Sequence, residues 1–226
     1  MEKLVYLLFQ EADASGEALR SGLLEKAAPG LRAAGAREIT VSVNDEAVAA
    51  GTPIRRSDPP IRAMVSFWLQ NADDRAPCEQ ALAAHAQRLA GYLVVESRPL
   101  VHEMRPGRRT PGMSQVTAIA RKAGLSDEEF IRIWHEDHKA VAIETQSTVG
   151  YVRNGVVRKL TDAAPDWVGI VEEIFPLEAL TDPHVFYAAK SEEEFRRNLA
   201  RMIESCNRFL DLEPLECTHM SEYYLG

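Results

Sequence analysis

The feature that most constrains the fold is the order of apolar runs on either side of one short segment. Arg105-Pro106-Gly107-Arg108-Arg109-Thr110-Pro111-Gly112 packs two Pro-Gly pairs and three arginines into eight residues, so residues 105–112 read as a linker near the middle of the chain. The same succession then occurs twice. Each half opens with an alternating apolar run, Leu4 to Phe9 and Met113 to Ala120. A helical segment follows, Glu17 to Ala34 and Ser126 to Gln146, then a strand, Glu38 to Val43 and Gly150 to Lys159. The most apolar strands come third, Ile61 to Leu69 and Trp167 to Phe175. A second helix, Asp74 to Leu89 and Ser191 to Leu210, precedes a closing strand, Tyr92 to His102 and Glu216 to Leu225.

The expected fold class is therefore α+β, with two ferredoxin-like βαββαβ halves at residues 1–104 and 113–226. Such a unit places both helices on one face of a four-stranded antiparallel sheet. Its other face is apolar here too, since Met64 and Trp68 alternate with Val65 and Phe67, so it also needs cover. Two halves in one chain can cover each other, sheet packed to sheet, as an intramolecular, pseudo-dimeric α/β barrel. The space between the sheets is then the expected ligand cavity.

Composition narrows the function classes. The 226 residues carry 26 basic and 34 acidic side chains, a net charge of −8, and no Lys/Arg run, so no nucleic-acid or anionic-membrane partner is expected. The apolar start Leu4 to Phe9 is closed at once by Gln10 and Glu11, and no stretch nears the ~20 apolar residues of a membrane span. Cys78, Cys206 and Cys217 show no paired spacing and read as reduced thiols, which makes a cytoplasmic location the expectation. No phosphate loop, nucleophile elbow, HExxH or dinucleotide fingerprint is present, and no cofactor is expected.

The chemistry concentrates on one helix. Ser126-Asp127-Glu128-Glu129 has the form of a capping box, and three acidic residues complement the helix N-terminus. At helical spacing Phe130, Trp134, Val141 and Thr145 share an apolar stripe that contains His138, with His135 at its edge. His138 is expected to point inward and His135 to be half-exposed. The pair can serve as acid/base groups, and a metal would need a third ligand; His219, Glu172, Glu173 and Cys217 are available but no spacing selects one, so no metal is expected. A hydrogen-bonded core histidine and a plain core tryptophan are the plainer readings of His138 and Trp134.

Gly124-Leu125-Ser126-Asp127-Glu128-Glu129-Phe130-Ile131-Arg132-Ile133-Trp134-His135-Glu136-Asp137-His138 resembles the signature of the EthD-like family, in the dimeric α/β barrel superfamily, over roughly residues 111–226. Phe130, Trp134 and His138 fall on the family's pattern, and His135 is suggested by it. The first-half helix from Glu17 has neither Trp nor His, so the chain resembles a tandem fused form with a single site. The resemblance implies oxidative breakdown of small organics, or dehydration or cyclisation of aromatic polyketides, and that the fused half takes the place of the partner with which single-unit relatives build the barrel; exposed sheets of this kind could further pair the fused barrels as a homodimer.

Two further strands carry candidates. Cys217, His219, Ser221 and Tyr223 share one face of the closing strand, where His219 and Tyr223 could orient a carbonyl or phenol; mixed burial is the plainer reading, as it is for His102. Glu172 and Glu173 point to opposite faces of an apolar strand. A buried carboxylate there can act as an acid or base, but an ion pair with Arg153 or Arg158 is the favoured expectation. Residues 44–60 form a long loop able to rim a cavity. The leading expectation is an enzyme acting on a small apolar or aromatic carbonyl compound in the barrel cavity, with His138 and His135 catalytic and Trp134, Phe130, Tyr223 and His219 binding substrate. The alternatives are a non-catalytic carrier of an apolar metabolite and an interaction scaffold.

Overall fold

A computed structural model describes residues 1–226. The first half runs β1 (Glu2–Phe9), α1 (residues 16–33), β2 (Arg37–Val43), β3 (Ile61–Leu69), α2 (Ala76–Ala83) and β4 (Arg88–Leu100). The linker contributes a two-residue strand, β5 (Arg108–Arg109). The second half runs β6 (Met113–Arg121), α3 (residues 127–145), β7 (Gly150–Lys159), β8 (Gly169–Phe175), α4 (Pro183–Phe186), α5 (Glu192–Phe209) and β9 (Leu210–Tyr224). The element order matches the sequence pattern, with α4 as an added turn. The expected helix from Asp74 to Leu89 stops at Ala83, because residues from Arg88 onward pair with β1 instead.

The strands form one closed eight-stranded antiparallel barrel in the order β2-β3-β1-β4-β7-β8-β6-β9, with β9 returning to β2 and β5 appended to β9. Each set of four runs second, third, first, fourth. The two sets join edge to edge at β4–β7, from Tyr92 opposite Lys159 to Leu100 opposite Tyr151, and at β2–β9, from Thr40 opposite Tyr224 to Val43 opposite Ser221. Closure leaves no long unpaired edge.

Strand alternation divides the side chains between two environments. Val5, Leu7 and Phe9 of β1, Met64 of β3, Val116 and Ala118 of β6, Ile170 of β8 and Met220 of β9 point into the barrel, where Tyr92 and Trp167 fill the centre with rings 6.3 Å apart. One end is polar. Lys3 lies 2.5 Å from Glu96 and 3.7 Å from Glu172, and His102 lies 2.8 Å from Glu222, which also accepts from Thr110 Oγ1. About 20 Å³ stays open there, room for roughly one water. The expectation of a ligand cavity between the sheets is therefore corrected: large side chains from both sets of strands occupy that space.

The opposite faces carry the helices. Leu19, Leu23 and Leu31 of α1 pack on Tyr6, Val65 and Phe67, with Tyr6 and Phe67 stacked 5.6 Å apart. In the second half Phe130, Ile133 and Trp134 of α3 and Met202 and Phe209 of α5 pack on Ile119, Tyr151 and Val171. Both α1 and α3 widen into a π-helical turn, at Leu23–Ala27 and Ile133–His138. Pro29, which has no N–H to donate, lies just past the first of these turns; α3 makes its turn without a proline. No helix is long and apolar enough to cross a membrane.

Candidate active site

The capping box fixes where α3 starts. Ser126 Oγ accepts from the Glu129 backbone N–H, and the Glu129 carboxylate accepts in return from the Ser126 N–H. From that start the π-turn carries Trp134 and His138 to the side of the helix that faces the sheet. Trp134 reaches the strands because Gly169 has no side chain: a Cβ there would lie 2.5 Å from the edge of the indole ring.

Between this face of the sheet and helices α3 and α5 lies a cavity of about 280 Å³, just under the ~300 Å³ at which ligand-binding pockets usually begin. Its lining is mostly apolar. Trp134 and His138 come from α3, Met202, Cys206 and Phe209 from α5, Phe186 and Tyr187 from the end of α4 and just beyond, and Thr117, Tyr151 and Glu173 from the strands. The first half adds one element. Ile54, from the loop 44–60, lines the cavity and exchanges two backbone hydrogen bonds with Cys217, both 2.9 Å. Arg56 Nε donates to the Glu213 carbonyl and the Ser57 N–H to Glu216 Oε1, so this loop is strapped across β9.

His138 Nδ1 lies 2.9 Å from Ser205 Oγ, and its ring packs 4.8 Å from that of Phe209. Burial first, and then the Arg153 cation, hold its imidazole at about 4, so at neutral pH the ring is uncharged. His135 is also held down at about 4, by burial, then Arg153 and Lys139. It packs edge-on against Trp134, 5.0 Å between centroids, and does not line the cavity. The two histidines are therefore not brought together in one site. Phe130 lies behind the wall, 5.5 Å from Trp134 and 5.7 Å from Phe209. Tyr223 packs against the first-half core and donates to Asp45 Oδ2 at 3.1 Å. His219 sits beneath the 44–60 loop against Gly51 and Leu180, outside the cavity, its Nδ1 without a partner. No three His, Cys, Asp or Glu side chains converge as a metal ion would need.

The glutamate pair divides between the two faces, but not with the expected partners. Glu172 points into the barrel, near Lys3 and 2.8 Å from Asn154 Nδ2. Glu173 points into the cavity, 8% exposed, with no ion pair and with Oε1 buried and unpartnered. The expected ion pairs to Arg153 or Arg158 are corrected. Arg153 instead donates to Ser97 Oγ and the His135 carbonyl, and Arg158 reaches out to Asp73. Burial alone pushes the Glu173 carboxyl up to about 7. The sequence marked this residue only through its alternation with Glu172. The contributions of α5 and of Ile54 carried no signal, because they arise from packing between distant segments.

The comparisons with known proteins bear on the fold and on this region. No curated protein matches the chain. Among solved structures, an anthrone oxidase-like protein superposes with a TM-score of 0.56 at 11% identity, over 100% of this chain and 94% of that one. A dye-decolorizing peroxidase from Bacteroides thetaiotaomicron superposes with a TM-score of 0.51 at 8% identity, over 98% of this chain and 93% of that one. At such identities the likeness is one of fold alone. The sequence match is narrower and includes the helix that bears Trp134 and His138: residues 122–213 match the EthD domain.

Proposed function

We propose that this chain is a small-molecule enzyme, an oxidoreductase or a dehydratase/cyclase working without a nucleotide cofactor. It acts on an apolar or aromatic carbonyl compound held in the second-half cavity, not inside the barrel. In this reading the chain is a fused tandem of two ferredoxin-like units. The first retains the packing role and lends Ile54 to the cavity wall, while the second carries the site.

The observation that supports this most is the cavity of about 280 Å³ with an uncharged imidazole in its wall. An apolar pocket with one or two placed polar groups binds and orients an uncharged ligand. His138, neutral at pH 7 and held by Ser205, is the group that meets the substrate's oxygen. Trp134 and Phe209 supply flat apolar surface for an aromatic ring.

The test is a panel of aromatic and alicyclic ketones and phenols, scored both by ligand-dependent thermal shift and by product formation. Turnover that disappears in His138→Ala, with cooperative unfolding intact, supports the reading. Full turnover in that variant removes His138 from it. One observation favours the second reading, a non-catalytic carrier: the hydrogen bond to Ser205 already satisfies one ring nitrogen, as in an ordinary core histidine. A carrier shows saturable thermal shifts with no product for any compound.

A further inference from the structure

We propose that Glu173 is the residue that takes and returns the substrate proton, and that the substrate is accordingly an uncharged carbon acid, such as an enolisable aromatic or alicyclic ketone. The proposal rests on the cavity being the ligand site and adds the division of labour within it.

Glu173 projects from β8, the floor of the cavity, toward helices α3 and α5. Its surroundings hold nothing that would justify a carboxylate structurally. Opposite it on the neighbouring strands stand Tyr151 of β7 and Gln115 of β6. Cys217 of β9, Cys206 of α5, His138 of α3, Thr117 of β6, and Gln146 and Tyr187 just past α3 and α4 complete the titratable or polar groups that line the same space. Neither thiol is an acid at neutral pH, since burial lifts Cys206 to about 11 and Cys217 to about 12. The neighbouring cation, Arg153 of β7, is committed to Ser97 and to the His135 carbonyl. An unpaired buried carboxyl with a bare oxygen costs a fold stability, and this fold does contain partnered acids in the same strand, as Glu172 with Lys3 and Asn154 demonstrates.

That arrangement suits one kind of chemistry. A carboxylate stripped of water is a stronger base than one at the surface, and with its titration near 7 it is ready both to accept and to donate. With an enolisable ketone in the cavity, the Glu173 carboxylate accepts the proton from the carbon beside the carbonyl. The C–H electron pair becomes the carbon–carbon double bond, and the carbonyl π pair moves onto oxygen, where the His138 ring hydrogen-bonds it. The resulting carboxylic acid returns its proton to carbon, at the same or a conjugated position, and the carboxylate is restored. The step is a proton transfer that leaves the oxidation state of the substrate unchanged, the activation that dehydration or cyclisation also begins with, so no oxidant or second reactant is consumed. A charged substrate is disfavoured, because the cavity offers no free cation to offset it.

The probe is 5-nitrobenzisoxazole, a neutral aromatic carbon acid of matching size. A base takes its ring C–H proton, the freed pair forms the nitrile, the N–O bond breaks and a coloured phenolate departs. Binding is read separately, by thermal shift and by tryptophan fluorescence. The wild-type protein is expected to release phenolate at a rate that rises with pH through about 7. Glu173→Gln, which keeps the side-chain shape, should bind the probe unchanged and lose roughly 100-fold or more in rate. Glu173→Asp should keep part of the rate and the pH dependence. The proposal is overturned if Glu173→Gln binds the probe and turns it over at the wild-type rate, or if the pH profile survives that change; the cavity reading would then still stand. If the wild-type protein does not bind the probe, the cavity reading fails, and this proposal fails with it.

Discussion

The two halves share an order of elements, a strand order and a π-turn in the first long helix, yet one is solid where the other is hollow. Between sheet and helices of the first half, 19 buried apolar residues form a continuous core, 18 of them its own and Leu160 lent by the second half, against 10 in the matching space of the second. The helix-facing positions explain it. On β1 and β3 they are Leu4, Tyr6, Leu8, Val65 and Phe67, large groups that meet Leu19, Leu23 and Leu31. On β6 and β8 they include Gln115, Thr117 and Glu173, which are small or polar, and the helices above them cannot collapse to fill the gap. In the proposed tandem reading, one half serves as support and the other opens as the proposed site. The exchange is mutual, since the solid half sends Ile54 into the wall of the hollow one.

The largest expected effect breaks the solid side. Leu23 is fully buried, and Leu23→Ala should cost about 2–5 kcal/mol in urea unfolding. Probe binding, measured where the variant is still folded, should not change. If binding fell as stability did, the halves would not be separable into support and site.

Glu173→Gln sharpens the contrast from the hollow side. The carboxyl's ordinary value of 4.5 is raised to about 7 in the fold, so between those pH values the native state binds a proton that the unfolded chain has lost. Wild-type stability from this group is therefore fully present below pH 4.5 and is lost as pH rises through about 7, by about 3 kcal/mol. Glutamine cannot ionise. The variant should be more stable than wild type at pH 8 by about that amount, and close to it at pH 4.5. Chemical denaturation at the two pH values checks this, and equal differences at both would remove the buried, unpaired carboxyl from the account.

Gly169→Ala is the smallest of these changes. It pushes on the edge of the Trp134 ring and should cost about 1–3 kcal/mol, with a shift in tryptophan emission and weaker probe binding. An unchanged emission spectrum would mean that Trp134 is not seated against β8.

Much of the fold was legible beforehand, because periodicity reports elements directly. The strand Gly150–Lys159 was expected at those limits, and the capping box at Ser126 was readable from four residues. Alternation also indicated that each sheet has two apolar faces. It could not indicate which face is filled, since that depends on whether Tyr92 and Trp167 meet at the barrel centre and whether α3 and α5 close over Thr117. His138 was placed inward by its stripe. The partner of Glu172 was not legible, because Lys3 lies 169 positions away and meets it only once the barrel has closed. Glu173's lack of a partner is likewise a property of the assembled packing.

The central claim is that ligands enter the second-half space between sheet and helices. The direct measurement is a titration of the isotopically labelled protein with 2-acetylnaphthalene, an apolar aromatic ketone, followed by amide and methyl NMR shifts. The cavity reading predicts saturable shifts centred on Trp134, His138, Glu173, Met202 and Ile54, with the first-half core around Leu23 and Phe67 unmoved. Shifts centred instead on the barrel interior around Tyr92 and Met64, or spread equally over both helix-sheet layers, would contradict it.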